Sequence, residues 1–103
     1  MDKVFKALAD ETRRTLLDRL RAEGGQTLFD LCRRMAMTRQ AVSKHLAILE
    51  DANLVATVKR GREKLHYLNP VPINEIAERW IGKFERRQVQ ALAELKSNLE
   101  KSS

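Results

Sequence analysis

The feature that most constrains this fold is a pair of short helical patterns separated by only three residues. The first pattern follows Thr27, a residue type favoured as a helix N-cap, and Asp30 completes an approximate capping box. Its apolar stripe consists of Leu28, Leu31 and Met35. The second pattern begins after Thr38 and ends near Asn53. Its apolar stripe consists of Val42, Leu46 and Leu49. Residues 27–53 are therefore predicted to form two short helices joined by a tight turn.

A basic β-hairpin is predicted directly after these helices, over about residues 55–68. The segments 55–58 and 64–68 have the composition of strands, and Gly61 between them supplies the positive φ that a tight turn needs. The cations around the turn are Lys59, Arg60, Arg62 and Lys64. Guanidinium groups on such a tip can enter a DNA minor groove or lie along phosphates, although a charged tip can also serve solubility alone.

The remainder of the chain is predicted to be helical. A first short helix carries Val4, Phe5 and Leu8, and a second helix is capped by Asp10 and ended by the Gly24-Gly25 pair. After Pro70 and Pro72, one helix is predicted from about residue 73 to 99, roughly 40 Å long. We therefore expect a single domain over residues 1–103, mainly α with a small β-hairpin.

The composition favours a polyanionic partner. The 103 residues include 20 Lys and Arg against 14 Asp and Glu, a formal net charge of +6. A chain this short argues against a large enzyme with a deep cleft, and no apolar run approaches the ~18 residues that cross a membrane. Because the one cysteine cannot form an intrachain disulfide and no signal-type run follows Met1, a cytoplasmic location is expected.

The predicted elements together have the order and spacing of a winged helix-turn-helix, a fold that binds DNA. Its second helix must bury one stripe and present the other to base edges. The side chains that project away from the apolar stripe are Arg39, Gln40, Ser43 and Lys44. Arginine can pair with guanine and glutamine with adenine, whereas serine and lysine more often contact phosphate. The alternative is a helical hairpin with an ordinary solvated face.

The long terminal helix is expected to contribute to a homodimer, because its apolar stripe exceeds what one short first helix can cover. The predicted interface residues are Val4, Phe5, Leu8, Trp80, Ile81, Phe84, Leu92 and Leu95. The alternative is that the terminal helix packs only against the chain's own first helix.

The sequence gives little support for metal binding or catalysis. The usual soft ligands are Cys32, His45 and His66, and none has the close spacing of a metal motif. Cys32 is most simply a half-buried structural thiol. No arrangement with nucleophile spacing is evident, so we expect no enzyme activity, no cofactor and no bound metal.

Two segments resemble the paired signatures of ArsR-type winged-helix repressors: residues 8–14, LADETRR, and residues 38–46, TRQAVSKHL. The resemblance covers most of the chain, including the wing and a terminal helix that in the family pairs with the first helix across a dimer. It implies that Ser43, Lys44 and His45 lie at the DNA surface with Arg39 and Gln40.

The chain departs from the family pattern at the turn and at the metal-sensing positions. Ala36 stands where the family commonly has glycine. Metal-sensing members carry a C-x-C-x-x-C run, and the corresponding positions of this chain are Thr27, Phe29 and Cys32. The terminal helix also lacks the His and Asp pairs that other members use for zinc. The chain therefore resembles a member that does not sense metals.

The sequence thus predicts a homodimeric transcriptional regulator, a repressor of a pseudo-palindromic operator on double-stranded DNA, whose effector it does not identify. The predicted DNA-binding residues are Thr38, Arg39, Gln40, Ser43, Lys44, His45, Lys59, Arg60, Arg62 and Lys64. An effector- or redox-responsive regulator acting through Cys32 is an alternative. An RNA-binding or protein-interaction module is another, although only five aromatic residues are present for stacking on bases.

Overall fold

The computed structural model of the protein describes residues 1–82 and 86–102. Within them lie six helices and one antiparallel pair of strands. Their order is α1 (Asp2–Leu8), α2 (Glu11–Ala22), α3 (Leu28–Met35), α4 (Arg39–Asp51), β1 (Val55–Arg60), β2 (Glu63–Leu68), α5 (Val71–Trp80) and α6 (Arg86–Ser102). The chain divides into two compact units, of which the first ends at Ile73 and the second begins at Asn74. The first unit contains the winged helix-turn-helix that the sequence predicts.

Side-chain caps begin α2, α3 and α4 where the sequence predicts them. The side chains of Asp10 and Thr38 accept hydrogen bonds from the backbone amides of Arg13 (3.0 Å) and Ala41 (3.2 Å). Thr27 and Asp30 form a complete capping box, with both hydrogen bonds at 3.1 Å. The backbone amide and the hydroxyl of Thr27 hold the pKa of the Asp30 carboxyl below its ordinary value.

The apolar stripes of α2, α3 and α4 meet in the core of the first unit. The largest side chains that are fully buried there are Leu16, Leu31, Val42, Leu49 and Leu54. Leu54 lies between α4 and β1, and its burial joins the hairpin to the helices. The flanking residues Leu28 and Met35 are half-buried at the edge of this core. Burial of the α4 stripe fixes which of its side chains point outward.

The turn between α3 and α4 forces Ala36 into a left-handed conformation. Its φ is 52° and its ψ is 40°, values that glycine adopts without steric cost. Thr38 then has extended backbone and caps α4. Alanine at position 36 therefore leaves the turn geometry in place but strains it.

We expect Ala36→Gly to stabilise the protein by about 0.5–1 kcal/mol. Relief of left-handed strain contributes roughly 1–2 kcal/mol, and the greater freedom of glycine in the unfolded chain offsets about 0.4–1 kcal/mol of it. Urea unfolding followed by circular dichroism measures the change. Ala47→Gly, an exposed helical position on α4, is the matched control and should destabilise by about 1 kcal/mol. Equal destabilisation by both substitutions would contradict strain at Ala36.

The hairpin closes through a two-residue turn and is anchored at its other end. Its register runs from Val55 opposite Leu68 to Arg60 opposite Glu63, and Gly61 in the turn has a φ of 61°. His66 on β2 is buried, and its Nδ1 donates a hydrogen bond to the carbonyl oxygen of Gln26 at 2.8 Å. These contacts hold the base of the wing against the loop between α2 and α3.

The prediction of a single terminal helix over about residues 73–99 is wrong, because α5 ends at Trp80 and residues 81 and 82 form a turn; the next described helix is α6. The amides of Ile81 and Gly82 both donate to the carbonyl oxygen of Ala77, at 2.7 and 3.1 Å. A Cβ at position 82 would lie 2.6 Å from the carbonyl oxygen of Glu78, so this turn requires glycine. Gly82 was the sequence signal for the break.

Candidate nucleic-acid interface

One face of α4 presents its polar side chains outward, as the sequence predicts. Arg39, Gln40, Ser43 and Lys44 are all exposed, and at 3.6 residues per turn their positions span an arc of about 140°. The opposite side is buried in the core. The outward arc therefore carries one guanidinium, one amide, one hydroxyl and one ammonium group on a helix whose opposite side is packed.

A groove of about 520 Å³ separates this face of α4 from the wing. Its lining includes four of the predicted DNA-binding residues: Arg39 and Ser43 from α4, and Arg62 and Lys64 from the hairpin. Apolar side chains from the start of α3 and the middle of α4 complete the surface, among them Leu28, Phe29 and Ala47. The fold thus brings one cation of α4, Arg39, and two cations of the hairpin, Arg62 and Lys64, to one groove.

The charges around this groove are not all available to a ligand. Lys64 Nζ lies 2.9 Å from Glu50 Oε1, and the Glu50 side chain is only 28% exposed. This ion pair joins the wing to the last turn of α4 and compensates the charge of Lys64. Arg39 and Arg62 remain as exposed guanidinium groups on the two walls.

Glu50 and Phe29 are among the groove residues that the sequence did not predict. Glu50 follows the apolar stripe of α4, and nothing in the sequence links it to Lys64 across the hairpin. Phe29 was considered only as a position where metal sensors have cysteine, but its side chain is 65% exposed and Arg33 lies over its ring at 5.8 Å. The sequence signal that could have identified Phe29 as a surface residue is its position outside the apolar stripe of Leu28, Leu31 and Met35.

The other predicted DNA-binding residues lie outside the groove. Thr38, Gln40, Lys44, Lys59 and Arg60 are exposed but do not line it. His45 differs from all of them, because it is half-buried and its Nδ1 lies 3.4 Å from Nη1 of Arg13.

The charged environment of His45 includes one carboxylate. The backbone amide of Arg13, followed by the charge of Arg13, holds the pKa of Asp10 below its ordinary value. Asp10 Oδ2 also lies 3.9 Å from Nη1 of Arg13. His45 therefore belongs to a polar cluster between helices and not to the outward row of α4.

Comparisons with known proteins identify the family. A helix-turn-helix domain model matches residues 8–58, which span α2, α3, α4 and the start of β1. The uncharacterized HTH-type transcriptional regulator YuzN of Bacillus subtilis is 40% identical over 86 residues, covering 78% of this chain and 94% of the relative. The arsenical resistance operon repressor of Escherichia coli is 33% identical over 94 residues, covering 87% of this chain and 79% of the relative. The chain belongs to the ArsR family of helix-turn-helix transcriptional regulators.

The solved structures agree with this assignment. An ArsR-like transcriptional regulator from Rhodococcus sp. RHA1 superposes with a TM-score of 0.72 at 34% identity, covering 97% of this chain and 90% of that one. As an ArsR-family regulator, the protein is a DNA-binding transcription factor, and α3 and α4 are its helix-turn-helix.

The dimer residues predicted for this ArsR-family protein differ in their exposure. Leu92 and Leu95 on α6 are 59% and 56% exposed, and Phe5, Trp80 and Ile81 are also exposed. Leu8 is half-buried. Val4 is only 8% exposed because it packs into its own chain, so little of its side chain is left for a second copy to cover. Phe84 lies outside the described residues.

Within residues 1–82 and 86–102, no group of three or more His, Cys, Asp or Glu side chains is placed to hold a metal ion. Cys32 is a free, half-buried thiol on α3. In the same described part of the chain, no helix has the length and apolarity needed to cross a membrane.

Proposed function

We propose that this ArsR-family regulator is a homodimeric repressor that binds a pseudo-palindromic operator through α4 and the wing. The observation that carries the proposal is the shared groove, in which Arg39 and Ser43 of α4 face Arg62 of the hairpin. Gln40 and Lys44 extend the same exposed surface of α4. Repression, rather than activation, is proposed because relatives such as the Escherichia coli protein are named repressors.

The first turn of α4 is the part that we assign to base contacts. A recognition helix enters the major groove with its N-terminal residues nearest the base edges. Arg39 and Gln40 occupy this turn, directly after the Thr38 cap. Arginine binds guanine O6 and N7, and glutamine binds adenine N6 and N7, each through two hydrogen bonds. We assign Ser43 and Lys44, further along the exposed arc, to the phosphate backbone.

The wing is assigned to the DNA backbone or the adjacent minor groove. Arg60 and Arg62 flank Gly61 at the turn, where the hairpin extends furthest from its anchored base. Lys59 is exposed on β1 and is placed to add a phosphate contact. Lys64 has a different role, since its ion pair with Glu50 holds the wing wall of the groove.

Dimerisation is proposed through the apolar side of α6. Leu92, Leu95 and Leu99 fall within an arc of about 60° on this helix, and each is more than half exposed. A second copy of the chain can bury this stripe, at roughly 1.5–3 kcal/mol for each leucine that becomes fully covered. Two copies then present two recognition helices to successive major grooves.

Selection of binding sites from a pool of random DNA duplexes tests this function. The wild-type protein is expected to enrich an inverted repeat whose half-sites lie about 10–10.5 base pairs apart, centre to centre, or a multiple of that distance. Footprinting on the enriched duplex should show protection of both half-sites. Recovery of no preferred sequence, or of a single asymmetric half-site, would contradict a dimer that recognises a palindrome.

Metal ions are expected to leave operator affinity unchanged. Thr27 and Phe29 cannot replace thiolate ligands, and one thiol at Cys32 cannot complete a site for zinc, cadmium or arsenite. Operator titrations with and without each ion measure this directly. A stoichiometric ion that changes the affinity about tenfold, and whose effect Cys32→Ser abolishes, would overturn the expectation.

A further inference from the structure

Arg13 connects the end of the first helix to the second. Its side chain is only 14% exposed, and its Nε and Nη2 atoms donate hydrogen bonds to the carbonyl oxygens of Ala7 (2.8 Å) and Lys6 (3.0 Å). Both carbonyls belong to the last turn of α1, where a helix leaves acceptors without partners in the helix itself. Arg13 therefore fixes the C-terminal end of α1 against the first turn of α2.

The remaining terminal nitrogen of the same guanidinium reaches the recognition helix. Arg13 Nη1 donates to His45 Nδ1 at 3.4 Å and lies 3.9 Å from the Asp10 carboxylate. One nearly buried cation thus contacts α1, the N-cap of α2, and α4. A contact from one rigid group to three elements constrains how those elements are oriented.

The chemistry of arginine defines the state of His45 in this contact. A guanidinium has five N–H donors and no acceptor, so the imidazole nitrogen that faces it must carry a lone pair. The hydrogen bond therefore forms with the tautomer of His45 that carries its proton on Nε2. A second proton on Nδ1 would place two donors and two positive charges against each other.

We propose that His45 is a positioning residue for operator recognition. Through its hydrogen bond with Arg13, His45 sets the rotation of α4 about the helix axis. His45 lies about 100° around α4 from Lys44, the nearest residue of the outward arc. The contact therefore anchors the inner side of the helix whose outer side carries Arg39 and Gln40. The inference rests on the proposed role of α4 in contacting bases, and it removes His45 from the residues that touch DNA.

A small rotation of α4 affects the two kinds of DNA contact differently. Paired hydrogen bonds to a base edge need a fixed direction, whereas flexible cations on a surface can follow the phosphates. Loss of the Arg13–His45 contact is thus expected to lower the preference for operator over scrambled DNA, with little change in affinity for scrambled DNA.

Two substitutions at His45 separate positioning from other roles. In His45→Asn, an acceptor oxygen is bonded to Cγ in the position that Nδ1 occupies in the imidazole. This variant should therefore keep operator affinity within about threefold of wild type. His45→Leu is of similar size but has no acceptor, and should reduce the operator preference by about tenfold, the scale of a hydrogen bond to a charged group. Circular dichroism at the assay temperature verifies that both variants are folded. Equal losses in both variants, or a loss on scrambled DNA as large as on operator, would overturn the proposal.

The protonation state of the ring gives a test that does not depend on DNA. In the wild-type protein, the ¹⁵N spectrum of the His45 ring at pH 8 should show an unprotonated Nδ1 and a protonated Nε2. Arg13→Gln should shift the Nδ1 resonance, and the double variant with His45→Leu should lose no more operator preference than Arg13→Gln alone. A proton on Nδ1 in the wild type, or additive losses, would contradict the contact. Failure of the wild type to select any operator is the separate test of the proposed function.

Discussion

Replacing Leu92 and Leu95 together with glutamate is expected to convert the dimer into a monomer and to weaken operator binding by about 100-fold or more. Two linked recognition helices bind their second half-site as an intramolecular event, which raises affinity by about 10²–10⁴-fold over one half-site alone. Both leucines are more than half exposed, so α6 does not need them for its own folding. The charged pair removes the apolar surface that a second copy would cover and adds repulsion across the two-fold axis.

Light scattering and operator titration measure the two parts of this result. Ala93→Glu with Ser97→Glu is the matched control, because it adds the same charge on the opposite, exposed side of α6. The control should remain dimeric and bind operator within about threefold of wild type. A monomeric wild type at micromolar concentration would contradict the dimer, as would full operator affinity in the Leu92 and Leu95 variant.

The helix-turn-helix and the wing could be predicted because each depends on signals carried within a few residues. Thr27 with Asp30, and Thr38, cap their helices through neighbouring amides, so the sequence pattern and the hydrogen bonds coincide. Gly61 similarly determines the hairpin turn from its own position. The outward face of α4 followed from the helical repeat once its apolar stripe was known.

Contacts between distant segments could not be predicted in the same way. The Glu50–Lys64 ion pair and the Arg13–His45 hydrogen bond join residues fourteen and thirty-two positions apart, and their partners follow from packing alone. His45 was therefore placed at the DNA surface by resemblance, although the structure half-buries it. The missed break at Gly82 has another cause, because the apolar repeat continues on both sides of that glycine.

Gln40→Ala and Arg62→Ala are expected to weaken DNA binding in two distinguishable ways. Gln40 lies in the first turn of α4, where its amide can make two hydrogen bonds to one adenine. Loss of this amide should weaken the free energy of binding to the operator by about 1–3 kcal/mol and should change binding to scrambled DNA little. Arg62 lies at the wing turn and is assigned to the backbone, so its loss should weaken binding to both duplexes.

The salt dependence of binding separates these roles further. If Arg62 neutralises one phosphate, Arg62→Ala should reduce the slope of log affinity against log salt concentration by about one unit, whereas Gln40→Ala should leave the slope unchanged. Arg21→Ala on α2 and Gln90→Ala on α6 are the matched controls, because each removes the same side chain from an exposed position outside the groove. Equal losses on operator and scrambled DNA in the Gln40 variant would mean that this face of α4 does not contact bases. An unchanged salt slope in the Arg62 variant would remove the wing from the phosphate contacts.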